Sequence, residues 1–147
     1  MLVFAVSPDD KAALEQWLID RIPNMDGGSF GPAVFAGVVQ RGALVAGVAF
    51  HEWRPGYDTL QLSMAAETPR WATRGVLAGL FRYAFVTAGA HKLWTATPAS
   101  NMRAIGFNLG IGMKQEAILR HHFGVKNHAV VCSMLAPEWR RSKWFQE

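Results

Sequence analysis

TPRWATRGVLAGLFRYAF, residues 68–85, places a turn carrying Arg70 and Arg74 directly before an apolar pattern of helical period. The first N–H groups of a helix have no intrahelical partner, and the aligned peptide dipoles make that end positive. Cations there are unexpected unless something negative sits with them. A multiply charged anion such as pyrophosphate meets that requirement. The loop amides bind it, Arg70 and Arg74 add charge-assisted hydrogen bonds, and Gly75 lets the backbone come close. With no ligand, the same residues read as a solvent-facing basic turn.

Working outward from this stretch, the helix runs from about Gly75 to Thr87, and the strand that feeds its loop runs from Asp58 to Ala66. Upstream, Leu2 to Val6 reads as a strand. Ser7-Pro8-Asp9-Asp10 then supplies an N-cap, a proline at the first helical position and early acidic residues. Leu14, Trp17, Leu18 and Ile22 recur at helical spacing, and Pro23-Asn24 with Gly27-Gly28 ends the helix near Ile22. The glycine loop Gly27 to Gly31 reads as flexible and is no Walker loop, because no Gly-Lys-Ser/Thr follows. Ala33 to Gln40 and Ala43 to Trp53 read as strands joined by a tight Arg41-Gly42 turn. Beyond the central helix the pattern predicts a strand at Lys92 to Thr97 and a short helix at Asn101 to Leu109. A last strand pair follows at Met113 to His121 and Ala129 to Leu135. Strands around two central helices make a single-domain mixed α/β sheet spanning residues 1–147, with no linker or internal repeat.

The 147 residues, half of them hydrophobic, suffice for one core. The net charge of +4 suits an anionic ligand but is spread along the chain, except in the basic C-terminal tail 139–147, where Arg140, Arg141 and Lys143 lie between Trp139 and Trp144. That tail supports two accounts: contact with nucleic acid, or a C-terminus whose tryptophans pack back on the domain. One cysteine, Cys132, excludes an intramolecular disulfide and fits a reducing, cytoplasmic setting; its alternating surroundings predict a buried strand thiol. The N-terminus lacks a basic leader, and the longest apolar run, Ala43 to Phe50, is too short to span a bilayer, so no membrane is expected.

Three motifs in order now carry a resemblance. Arg70-Trp71-Ala72-Thr73-Arg74-Gly75 resembles the [Gln/Arg]-x-x-Gly-x-[Gly/Ala] coenzyme A loop of the GNAT acyltransferases, with Thr73 in place of the middle glycine. Asn101 with Ala104, then Gly112-Met113-Lys114-Gln115-Glu116-Ala117, is similar to the family's Asn-x-x-Ser/Ala and Gly-Phe-x-x-Glu-Gly run. Arg120 and the ending Ala129 to Leu135 with Glu138-Trp139 resemble the ribosomal-protein N-terminal acetyltransferase branch.

The resemblance implies a mostly antiparallel sheet flanked by helices, with a splayed central strand pair, and acetyl-CoA as cofactor. It implies that Ser63, Met64, Ala65 and Ala66 bend away at a bulge and pair with the pantetheine arm. It further implies that Arg70, Trp71, Ala72, Thr73, Arg74, Gly75 and Val76 hold the pyrophosphate, and that Asn101, Ala104, Phe107 and Asn108 complete the cofactor site. The reaction implied is direct attack by a neutral primary amine, with a protein or peptide N-terminus as acceptor and a monomer or homodimer as the working unit.

The family's usual tyrosine acid aligns with Asn108, which has no titratable proton, and the glutamate of the central strand aligns with Gln61. His51 and Glu52 are the replacement candidates for the base, and strand alternation allows one of the two to point inward. Asn101 completes the catalytic set through the cofactor arm. Trp53, Gln61, Arg120 and His128 are the acceptor-site candidates, with Trp71 and Trp94 as further aromatic ones. His121 and His122, as strand neighbours, would face opposite ways and so cannot share a metal ion; no metal is expected. The alternative function is a basic nucleic-acid-binding module, or a GNAT-like enzyme that modifies nucleobases.

Overall fold

A computed structural model describes every residue except Asn24, Asp26, Gly27 and Glu147. The expected helix stops at Asn24 and Gly27 therefore lie outside the described residues. The strands are β1 (Leu2–Phe4), β2 (Ala33–Gln40), β3 (Ala43–Arg54), β4 (Thr59–Ala66), β5 (Lys92–Pro98), β6 (Lys114–Leu119) and β7 (Ala129–Leu135). The helices are α1 (Pro8–Arg21), α2 (Arg74–Arg82), α3 (Met102–Gly110) and α4 (Ala136–Arg140). The strands form one sheet in the order β1-β2-β3-β4-β5-β7-β6. Every pairing is antiparallel except β4 with β5. This is the mixed, mostly antiparallel α/β architecture expected.

Local chemistry explains where elements begin. Ser7 caps α1, its Oγ accepting from the Asp10 N–H at 3.1 Å, with Pro8 at the start and Asp9 and Asp10 complementing the dipole. Arg41 and Gly42 both have positive φ, as the tight β2–β3 hairpin requires. Gly37 and Gly47 are cross-strand partners beneath α1. A Cβ on Gly47 would meet Leu18 and Trp17 at 3.2–3.3 Å, so the missing side chain lets α1 lie close on the sheet.

One sheet face packs Phe35 and Ala49 against Leu18 of α1 and Phe30 of the following loop. The other packs Val38, Val48, Leu62, Leu93 and Met134 against Leu77, Leu80 and Phe81 of α2. Some elements depart from expectation, and the strand expected at Met113 to His121 spans only Lys114–Leu119. The first strand ends at Phe4, not Val6. The central helix widens to a π-turn over Tyr83–Thr87, closed by the Ala88 N–H on the Tyr83 carbonyl at 2.8 Å. The tail forms the short helix α4, and Trp139 and Trp144 pack back on the domain as the second of the two accounts expects, stacking on Phe85 and lying against Phe81. The Trp144 indole N–H donates to the Ile111 carbonyl at 2.7 Å. The tail tryptophans are thus core residues, while Arg140, Arg141 and Lys143 stay exposed, with the Lys143 ammonium 4.8 Å from the centroid of the Trp144 ring.

Candidate active site

β4 and β5 pair over only three residues, Thr59 with Lys92, Leu60 with Leu93 and Gln61 with Trp94. Past that point β4 continues on β3 as far as Ala66 with Ala46, while β5 continues on β7 as far as Pro98 with Ala129. The two strands separate because each follows its outer neighbour. The expected bulge in Ser63 to Ala66 is absent: that segment keeps unbroken register with β3, and the irregularity lies in β3 between His51 and Arg54.

The separation opens a cleft of about 410 Å³. Ser63, Met64, Ala65 and Ala66 form one wall, Thr95 to Pro98 the other, and Trp71, Asn101, Ala104, Phe107 and Asn108 from the turn and α3 complete it. Trp71 and Phe107 stack within it, ring centroids 5.4 Å apart. The inner edge of β4 has no strand neighbour here, so its backbone groups face the cleft.

Thr73, the residue in place of the family glycine, is the N-cap of α2: its Oγ1 accepts from the Val76 N–H at 3.3 Å. Its φ is −70°, a conformation that needs no glycine, so the substitution exchanges flexibility for a cap. A Cβ on Gly75 would meet nothing within 4 Å, leaving open space over the helix start. Arg70, Ala72, Thr73, Arg74, Gly75 and Val76 are not part of the cleft's lining, although they adjoin Trp71, which is; Val76 is buried in the core. Arg74 reaches the tail, its Nη2 donating to the Lys143 carbonyl at 3.3 Å.

The lining also contains Arg103 and Arg21, which the sequence reading missed. Arg103 lies in the first turn of α3, a helix that, like α2, starts with a cation and no acid. The signal that singled out Arg74 would have found it. Arg21 comes from α1 and is fixed at the rim by Glu67 at 2.6 Å, a pairing that only the tertiary fold creates.

Asn101 caps α3 through its Oδ1, which accepts from the Ala104 N–H at 3.2 Å. Asn108 is buried, and its Nδ2 donates to Thr95 Oγ1 at 3.1 Å and Thr97 Oγ1 at 3.4 Å. Asn108 thereby ties α3 to β5.

His51 is buried and sits edge-on to Phe30. Its Nε2 is 2.8 Å from Ser63 Oγ, and Ser63 lines the cleft. Burial pushes the imidazole below its ordinary 6.5, only partly offset by the Glu52 carboxylate. Nδ1 lies 3.8 Å from Glu52 Oε1, beyond hydrogen-bond reach. Glu52 itself is exposed, held at φ +56° by the irregularity in β3. Of the adjacent pair, His51 is therefore the one turned inward.

On the acceptor side, Gln61 and Trp94 form the last pair before the cleft. Trp53 is half exposed beside the irregularity. Arg120 and His128 flank the turn between β6 and β7 and line neither pocket. His121 and His122 lie in that turn, not on a strand, so alternation is not what separates them. His121 Nδ1 already accepts from the Lys126 N–H, and His128 Nδ1 from the His121 N–H, both at 3.0 Å. Cys132 is fully buried, and burial pushes its thiol up. No described helix is long and apolar enough to cross a membrane.

No family model and no curated protein matches the sequence. Solved structures do. A spermidine N-acetyltransferase chimera of SpeG from Vibrio cholerae and hSSAT is 12% identical over 95% of this chain and 98% of that chain, with a TM-score of 0.76. A protein assigned to the GNAT acetyltransferase family, from Desulfovibrio desulfuricans, is 14% identical over 92% and 98%, with a TM-score of 0.69. At such identities the likeness shows the fold: this chain has the single-domain architecture of GNAT acetyltransferases.

Proposed function

We propose that this chain is an acetyl-CoA-dependent N-acetyltransferase acting on a primary amine, with the α-amine of a peptide as acceptor. The observation that carries this reading is the cleft between β4 and β5, with the unpaired inner edge of β4 on one wall and the Thr68–Trp71 turn, which leads into the open start of α2, in its lining. These residues fit the cofactor. The edge of Ser63 to Ala66 offers backbone donors and acceptors to an amide-bearing arm, and the Arg74–Gly75 amides, with Arg70 and Arg103 nearby, suit a pyrophosphate. Acetyl-CoA supplies a thioester carbonyl activated toward amines.

The chain's own contribution is positioning and a proton path. Holding amine and thioester in line can supply much of the acceleration. Ser63 Oγ accepts a proton from the attacking nitrogen as its own passes to His51 Nε2 in the tautomer protonated at Nδ1; burial keeps the imidazole neutral at pH 7 and makes it a weaker base than a free one. Asn108, lacking a titratable proton, leaves protonation of the departing sulfur to solvent. An α-amine, with a pKa near 8, is about one-tenth neutral at pH 7, so it suits a site with modest catalytic equipment far better than a lysine near 10.4.

Calorimetry with acetyl-CoA, followed by an acceptor screen reading thiol release and product mass, tests this reading. Binding together with faster acetylation of peptide α-amines than of internal lysines is expected. Absence of binding removes the cofactor assignment. Preference for lysine side chains or nucleobases overturns the acceptor.

A further inference from the structure

We propose that the second pocket of the molecule, beside the β4–β5 junction, selects acceptors that carry a carboxylate and an apolar middle, and rejects polycationic amines. The inference rests on the amine-acetylation reading above and names its substrate class.

The pocket, about 240 Å³, is bounded by Arg54, Thr59, Lys92, Trp94 and Glu116, with Ala117, Leu119 and Val131 as its apolar side. Strand register places it. Arg54 pairs with Thr59, and Thr59 with Lys92, in a row across three strands. Gln61 and Trp94 form the next row of the same face, beside His51, and Ser63 comes one step further, where the cleft opens. Ser63 lies four residue steps along β4 from Thr59, roughly 13 Å at about 3.3 Å per step.

The chemistry left open in this pocket decides its ligand. Glu116 is its single carboxylate among the described residues, and both oxygens are engaged, Oε2 by Lys92 Nζ and Oε1 by the Ser133 hydroxyl, each at 2.6 Å. Lys92 and Ser133 hold that carboxyl below the usual range, so it stays ionised and already neutralised. An incoming ammonium finds no free anion. Arg54, by contrast, has no carboxylate partner among the described residues and rests on the Tyr57 ring, its guanidinium carbon 4.7 Å from the centroid. Thr59 Oγ1 is buried with no hydrogen-bond partner among the described residues. An exposed cation without a carboxylate partner, lining one pocket with Trp94 and an apolar side, calls for an anionic group on an apolar stem. With its amine at Ser63, an extended peptide spanning about 3.5 Å per residue brings the third side chain or a tripeptide carboxylate to Arg54.

The test uses two peptides, Ala-Phe-Glu-Gly-amide and Ala-Phe-Lys-Gly-amide, together with spermidine, on the full chain and on the exposed-site variants Arg54→Gln and Arg54→Glu. The Glu peptide should exceed the Lys peptide by about tenfold or more in kcat/KM, the scale of one charge-assisted hydrogen bond. Arg54→Gln should level the two and Arg54→Glu should reverse them, with acetyl-CoA affinity unchanged in both. Charge-blind kinetics, or preference for spermidine, overturns the proposal. If acetyl-CoA does not bind the wild-type chain, the parent reading fails, and the pocket is judged by the Trp94 indole N–H resonance, assigned with Trp94→Phe. A saturable shift with the Glu peptide, lost in Arg54→Glu, supports the pocket; no shift refutes it.

Discussion

Replacing Gly75 by Ala, Gln and Glu separates size, polarity and charge at the start of α2. The position is exposed, its φ is not positive, and an added Cβ meets nothing within 4 Å. Gly75→Ala should therefore stabilise the helix by about 1 kcal/mol and raise Tm by roughly 3 °C for a chain of this size. Gly75→Glu gains similarly and adds a favourable anion at the helix start, so any loss of cofactor affinity cannot be ascribed to unfolding. A carboxylate about 4 Å from one phosphate charge costs about 1 kcal/mol in a water-like environment and about 4 kcal/mol at an effective dielectric constant near 20. Calorimetry with acetyl-CoA should thus show Kd raised between roughly fivefold and several-hundredfold for Glu, little changed for Ala, and intermediate for Gln. The Glu defect should shrink as salt rises, because the site is exposed. Equal damage from Ala and Glu would refute the phosphate argument, as would wild-type affinity in Gly75→Glu.

His51→Ala should lower kcat/KM by about a hundredfold at pH 7 and less at pH 9, where the amine is neutral unaided, whereas Glu52→Gln should change little; a flat response to both leaves unassisted attack as the mechanism. His51 also carries a stability signature. Its folded pKa lies below 6.5, so the unfolded chain takes up the proton first, and stability present above pH 6.5 is lost as pH falls toward the folded value. Urea unfolding at pH 7.5 and pH 5.5 should show this loss, and His51→Gln should reduce it. Asn101→Ala should cost about 1 kcal/mol and lower turnover, while Asn101→Asp should keep the cap. If Asp restores both stability and turnover, the amide makes no contact of its own with the cofactor. Trp144→Ala should cost about 3–5 kcal/mol in denaturant titration; a loss below 1 kcal/mol would mean that the tail is not part of the core.

The fold was legible wherever short-range chemistry dictates it. Ser7-Pro8 and Arg41-Gly42 each fix an element with no help from distant residues, whereas Ala129 to Leu135 forms its strand without the expected alternation, being buried on both faces as far as Met134. The π-turn was not legible, because Phe81 and Phe85 suit the core in either helical form. The five residues of α4 are too few for periodicity to declare, and their order comes from Trp139 packing on Phe85. In the site, Ser63, Trp71, Asn101 and Phe107 do meet in one cleft. The pairing of His51 with Ser63 and the arrival of Arg21 depend on strand register and helix docking, which no local pattern encodes. Asn108 shows a further limit: its identity excludes an acid, while its use as a tie to Thr95 and Thr97 appears only in three dimensions.

A sheet of this order has two outer borders, β1 and β6, yet the three-residue junction of β4 and β5 creates two more inside the molecule. Exposed strand borders invite pairing with other chains and, at high concentration, aggregation. Here the inward borders face each other under α3 and the Thr68–Trp71 turn, where Trp71 and Phe107 narrow the approach. The protein thus keeps a strand-pairing surface available without presenting it to its neighbours: a slender extended molecule can slip between the two halves, while a second sheet cannot. The same geometry that would otherwise make the chain adhesive is confined to a cleft of about 410 Å³.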